Sequence, residues 1–242
     1  MTVAEQEQSS ELVSKATPSA AKRVVQIALT LVWTIGSLFL GAGTFHWTRG
    51  WVCVALWLLS SKVVGIVTER LNPQLMKERA NWRRQDTKRF DKIFLFTYMP
   101  FVLLQPAIAG MDAVRVHGEW MTFPFVYAGA ALYTLAMTLV GWVLSINPYA
   151  ETSVRIQTDR GHSVITTGPY RIVRHPMYVG ASAMYLSMPL VWGSLWALID
   201  GLIITLLFVI RTDLEDRTLK EELAGYKDYA VHTRYRLVPG IW

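Results

Sequence analysis

The chain has 242 residues, of which 52% are hydrophobic and 17% charged, where a soluble domain averages about 25% charged. With ten tryptophans and a mean hydropathy of +0.28, it reads as one compact integral membrane bundle, not as a soluble enzyme, a disordered chain or a pair of domains. The net charge of +6 lies beside apolar runs, so lipid headgroups and topology account for it, and no nucleic-acid partner is expected. Cys53 is the only cysteine and sits inside an apolar run, which rules out an intrachain disulfide and a cysteine metal cluster.

Residues 1–22 are polar, with Glu5, Gln6, Glu7, Gln8, Ser9 and Ser10. They carry too little apolar surface to order themselves and are expected to form a disordered tail. The apolar run that follows starts too late, and is too long, for a signal peptide. The first span is expected over 24–44, about 21 residues or about 31 Å of helix. Gly41-Ala42-Gly43 near its end follows no strand and suits helix packing, not a nucleotide loop. A turn at His46–Trp51 with interfacial tryptophans leads into a second span, 51–68, in which Lys62 snorkels to the headgroups.

Residues 69–92 are strongly basic. Trp82 and Phe90 interrupt the charge, so two readings stand together: an interfacial amphipathic helix, or a solvated charge run that sets topology. A third span over 93–110 contains Pro100 and Pro106, which predict kinks. A short loop with Arg115, His117 and Trp120 precedes a fourth span, 123–146. Residues 147–176 are a polar connection. Residues 177–210 are apolar again, too long for one span and short for two, with Pro189 and Gly193 at the midpoint. That pattern predicts a helical hairpin forming spans five and six. A charged, aromatic tail, 211–242, follows.

The expected architecture is therefore an all-α integral membrane protein of about six transmembrane helices with both termini cytoplasmic. It divides into the tail 1–22, a four-span region 23–146 and a catalytic region 147–242. Basic residues support the orientation: 21 of the 24 lysines and arginines fall in the regions this topology puts inside. Connection 147–176 and tail 211–242 then share one face of the membrane and can meet across the mouth of the hairpin.

The chemistry concentrates in Gly168-Pro-Tyr-Arg-Ile-Val-Arg-His-Pro-Met-Tyr178. Two prolines shape this loop, and it carries Tyr170, Arg174, His175 and Tyr178 at a membrane boundary. Anchoring alone requires neither both prolines nor the histidine. In the tail, Arg211 and Glu215 are spaced i, i+4 on a helix continuing span six, so they share a face. A surface helix pair is one reading. A buried pair, one side chain gripping an anion and the other a cation or sugar hydroxyls, is the favoured one. His162 and His175 lack a further ligand at metal-binding spacing, and HExxH, G-x-S-x-G and P-loop motifs are absent. No metal is expected.

The pattern Arg160-Gly161-His162, Thr167-Gly168-Pro169-Tyr170 and Arg174-His175-Pro176-Met177-Tyr178-Val179-Gly180 resembles the isoprenylcysteine carboxyl methyltransferase family. So does the tail Arg211, Glu215-Asp216, Gly225-Tyr226 and Tyr229. The wider group includes membrane phospholipid and thiol methyltransferases. The resemblance covers about residues 145–240. It implies an S-adenosylmethionine-dependent methyltransferase, multi-pass in a bacterial cytoplasmic membrane. The cofactor pocket would face the cytoplasm, and a hydrophobic or lipidated acceptor would arrive from the bilayer. Carried over, Gln157, His162, Ser163, Val164, Ile165, Tyr170, Arg174, His175, Pro176, Met177 and Tyr178 would bind the cofactor. Glu215 would hold it from the tail and Arg211 would face the acceptor, these two being the catalytic pair. Where the family has paired glutamates this chain has Glu215-Asp216, which leaves the role of Asp216 open, and Arg155 is an alternative to Gln157. A non-catalytic membrane binder of the same fold, and a sterol-reductase-like enzyme using a nicotinamide cofactor, are the competing readings.

Overall fold

A computed structural model describes residues 20–79 and 87–242; among them are eight α-helices and no strand. We number them α1 (Ala20–Ala42), α2 (Thr48–Leu71), α3 (Pro73–Arg79), α4 (Arg89–Gly110), α5 (Phe123–Ile146), α6 (Pro176–Trp192), α7 (Leu195–Glu222) and α8 (Tyr226–His232). Five of the described helices, α1, α2, α4, α5 and α7, are long and apolar enough to cross a membrane. The sixth expected span, α6, has 17 residues with Pro189 inside it. The hairpin is present: Gly193 ends α6 in the left-handed region at φ 76°, a conformation glycine adopts without the steric cost of a Cβ. Ser194 then caps α7 by accepting the Ala197 N–H at 3.1 Å.

Two expectations are corrected. Helix α4 runs through both prolines and continues as a π-helical turn, Met111–Val116, so the loop expected after residue 110 begins later. The wider turn carries Asp112, buried, to the hairpin bend, where Asp112 accepts from the Ser194 hydroxyl and the Trp196 N–H and contacts His117. The basic stretch 69–92 is not one interfacial helix. Helix α2 extends to Leu71, α3 is a separate short helix, and α4 already starts at Arg89. Trp82, Arg83 and Arg84, and the tail up to residue 19, lie outside the described residues.

The small residues near the end of the first span pack as expected. A Cβ on Gly41 would lie 2.2 Å from the Ala107 carbonyl oxygen, so glycine lets α1 and α4 approach. On the far side of the bundle α5 packs along α6. Large apolar side chains such as Leu40 and Phe96 point outward, 78% and 84% exposed, as a lipid-facing surface requires. The ends of α2, α5 and α7 and the starts of α4 and α6 gather at one end of the bundle. Asn72 ties two of them together, donating through Nδ2 to the carbonyls of Leu144 and Asn147 at 2.9 and 3.1 Å. The polar connection and the tail close over this end.

Candidate active site

The connection 147–176 is held by its own side chains. Asn147 caps the turn after α5, its Oδ1 accepting the Tyr149 N–H at 2.8 Å while Nδ2 donates to the Tyr170 hydroxyl. Gln157 is 1% exposed and its amide is engaged within the loop: Nε2 donates to the Tyr149 carbonyl at 2.8 Å and Oε1 accepts from Arg160 at 2.7 Å. Arg155 forks onto Glu151 and reaches Asp159. Burial works against its charge, but the hydrogen bonds to these carboxylates outweigh burial and raise its pKa. Gly161 turns the chain in the left-handed region, bringing His162 back so that its Nδ1 accepts the Gln157 N–H at 3.3 Å. Burial lowers the His162 pKa, with the Glu215 charge opposing. A neutral ring whose Nδ1 is an acceptor carries its proton on Nε2.

The tail locks onto the other end of the loop. The N–H groups of Arg174 and His175 donate to the carbonyls of Tyr235 and Arg236. Arg174 grips Asp216 with two nitrogens, at 2.7 and 3.0 Å, and gives Nη1 to the carbonyls of Thr233 and Arg234. Asp216 also accepts from the Tyr226 hydroxyl and pairs with Lys220 and Arg236, with His175 Nε2 at 3.4 Å. Burial raises the Tyr226 pKa, and the Asp216 charge adds to that. Tyr229 donates to the Tyr170 carbonyl, and its own pKa is pushed up to about 12, mainly by burial.

Between loop, tail and helices lies a cavity of about 340 Å³, within the range of small-molecule sites. Gln157, His162, Ser163, Val164, Ile165, Tyr170, Arg174, His175, Met177, Tyr178, Arg211 and Glu215 all reach its wall. Pro176 does not: it is the buried first residue of α6 and starts the helix, a place where its missing N–H costs nothing. Arg174 borders the cavity, with Nε, Nη1 and Nη2 engaged by Asp216 and the carbonyls of Thr233 and Arg234.

Arg211 and Glu215 share a wall but do not pair with each other. Arg211 Nε meets Asp91 Oδ1 at 2.8 Å and Nη2 donates to the Thr152 carbonyl at 3.0 Å. Its guanidinium lies 4.4 Å from the Phe94 ring centroid and 5.3 Å from that of Tyr178. Glu215 Oε2 accepts the Tyr178 hydroxyl, leaving Oε1 without a hydrogen-bond partner among the described residues. Sequence reasoning missed Asp91, Tyr98, Tyr149 and Arg79, all in or against this wall. A lone acid among basic residues at the start of a span was the one signal for Asp91; Arg79 was hidden among charges that topology already explained.

These features define a class: a multi-pass helical membrane protein with a polar, aromatic cavity at one end of the bundle. Residues 125–224, from α5 to just beyond α7, match the profile of the phospholipid methyltransferase family. That stretch is therefore similar to a family within the wider group of membrane methyltransferases that includes the isoprenylcysteine carboxyl methyltransferase-like proteins. No curated protein matches the chain.

Proposed function

We propose that the protein is an S-adenosylmethionine-dependent methyltransferase of the isoprenylcysteine carboxyl methyltransferase type. Its acceptor is lipid-like or a small hydrophobic molecule bearing a carboxylate, amine or thiol, and its pocket faces the cytoplasm from a bacterial cytoplasmic membrane. The observation that carries this reading is the two-sided wall of the cavity. Polar loop and tail form one side; Leu95, Met99, Ala181 and Phe208, from helices α4, α6 and α7, form the other. A water-soluble cofactor and a bilayer-borne acceptor each require one of those sides.

The residues fit the cofactor. Glu215 presents a carboxylate, His162 is held neutral, and Tyr170 and Tyr178 present aromatic faces, a set that suits a cation and a ribose. When bound, S-adenosylmethionine supplies a methyl group activated on a sulfonium. The chain contributes positioning and exclusion of water, which is most of what an in-line displacement needs. Met177, Tyr178 and Phe208 keep the reacting region dry, and Arg211 orients the acceptor beside them. A carboxylate acceptor is already ionised at neutral pH. An amine or thiol loses a proton, and Glu215 Oε1 is placed to take it. His175, tied to Asp216 and Tyr226, serves to position the loop.

Calorimetric titration of the detergent-purified protein with S-adenosylmethionine, and separately with a reduced nicotinamide dinucleotide, tests the assignment. Binding of the first alone is expected. Binding of the nicotinamide in its place would favour a reductase, and binding of neither a non-catalytic protein.

A further inference from the structure

Asp91 belongs to α4, outside the residues 125–224 that match the family, and stands behind the cavity wall, against the lining residues Arg211 and Val154. It is 0% exposed; Oδ2 is hydrogen-bonded, and Oδ1 makes a close ion-pair contact that lacks hydrogen-bond alignment. Oδ1 meets Arg211 Nε at 2.8 Å, and Oδ2 accepts the Val154 N–H at 2.8 Å. The Lys88 N–H closes the same contact from the other side, donating to the Val154 carbonyl at 3.1 Å. Arg211 in turn holds the Thr152 carbonyl at 3.0 Å. One buried acid thus joins the start of α4, the segment 152–154 of the cavity loop, and the arginine of α7.

We propose that Asp91 is a positioning residue for methyl transfer: it is the counter-ion that holds the Arg211 guanidinium against Phe94 and Tyr178 and so sets where the acceptor lies. The proposal rests on the methyltransferase reading above. An arginine with 7% exposure beside two aromatic rings is stable in one place only if its charge is met there. Asp91 meets it at Nε and the Thr152 carbonyl takes Nη2, which leaves Nη1 without a hydrogen-bond partner among the described residues. Without that anchor the long side chain re-aims, and displacement of an orienting group by about 1 Å is enough to slow a reaction on the order of 100-fold. Glu215 and His162, assigned above to the cofactor, make no hydrogen bond to Asp91, so the role proposed here predicts that cofactor affinity changes far less than turnover when the Asp91 charge is removed.

The substitutions separate this role from simple support of the loop. Asp91→Asn keeps an oxygen for the Val154 N–H but loses the charge that Arg211 needs; Asp91→Glu keeps the charge. Wild type and variants are purified in detergent, titrated with S-adenosylhomocysteine by calorimetry, and reconstituted in vesicles of total lipid extract from the expression host. Transfer of labelled methyl from S-adenosylmethionine is then followed. In Asp91→Asn the S-adenosylhomocysteine dissociation constant stays at the wild-type value while turnover per bound cofactor falls on the order of 10- to 100-fold. Asp91→Glu recovers part of the loss, and adding Asp91→Asn to Arg211→Gln costs nothing further. Parallel loss of cofactor affinity and turnover, or losses that multiply in the double variant, would overturn the proposal. A double-substitution cycle on thermal unfolding decides the pairing even if the wild type methylates nothing in the extract. The double variant is then expected to melt above the sum of the single losses, and strict additivity would refute the anchor. Failure of the wild type to bind S-adenosylhomocysteine would instead refute the methyltransferase reading and leave the cycle to judge the pair.

Discussion

Glu215 and Asp216 are neighbours in sequence but belong to two differently built regions. In the tail clamp, Asp216 is 0% exposed and meets three cations, Arg174, Lys220 and Arg236, together with the Tyr226 hydroxyl. Every partner comes from the protein, so its electrostatic capacity is spent on holding loop to tail. In the cavity wall, Glu215 has the Tyr178 hydroxyl on one oxygen, and Arg211 has Asp91 and one carbonyl. Both keep an edge toward the cavity. A saturated buried charge builds structure, because desolvation is offset only by a full set of partners. A charge left one partner short, at a cavity, is available for a ligand.

Breaking the clamp gives the largest expected effect. Asp216→Ala leaves three cations facing one another without their shared acid, and thermal unfolding in detergent should report a loss of about 3–5 kcal/mol. A loss under about 1 kcal/mol would mean the network is a solvated surface feature and the contrast with Glu215 is false. Glu215→Gln should do the opposite. The fold is retained, while affinity for S-adenosylhomocysteine drops by roughly 10- to 100-fold, the equivalent of one charged hydrogen bond; calorimetry showing no change would move the cofactor away from this wall.

Arg174→Lys sharpens the comparison at smaller scale. Lysine keeps the charge but lacks the fork that meets both oxygens of Asp216, so a stability loss of about 1–3 kcal/mol is expected with the cofactor dissociation constant unchanged. A selective loss of cofactor affinity would instead put Arg174 against the ligand, as the family resemblance implies.

The smallest effect is that of pH on His162. Its pKa is lowered from 6.5 in the folded protein, chiefly by burial, so the unfolded chain takes up the proton first. Stability is therefore full above pH 6.5 and declines as pH falls below it, at no more than about 1.4 kcal/mol per pH unit. Melting temperatures from pH 8 to pH 5 should show a decline that His162→Phe removes, and a decline of equal size in that variant would assign the titration to another group.

Much of this was legible in the chain as written. Apolar runs of span length, the break at Pro189 and Gly193, and the lopsided distribution of lysine and arginine depend on local composition, so they placed the helices, the hairpin and the shared face of loop and tail. The motif from Gly168 to Tyr178 announced the cavity because its residue types make little sense as an anchor alone. The π turn after Gly110 was not legible, since it is set by Asp112 meeting Ser194 across the bundle. Nor was the division of labour among the charges. Arg174 in the connection and Arg211, Glu215 and Asp216 on α7 look alike in the sequence as ionic residues beside apolar runs. Whether each is saturated or left open to a cavity depends on partners brought from other helices, Asp91 and the tail carbonyls above all. Local pattern decides which side chains face one way; long-range packing decides what stands opposite them, and in a low-dielectric interior that second fact separates a structural charge from a reactive one.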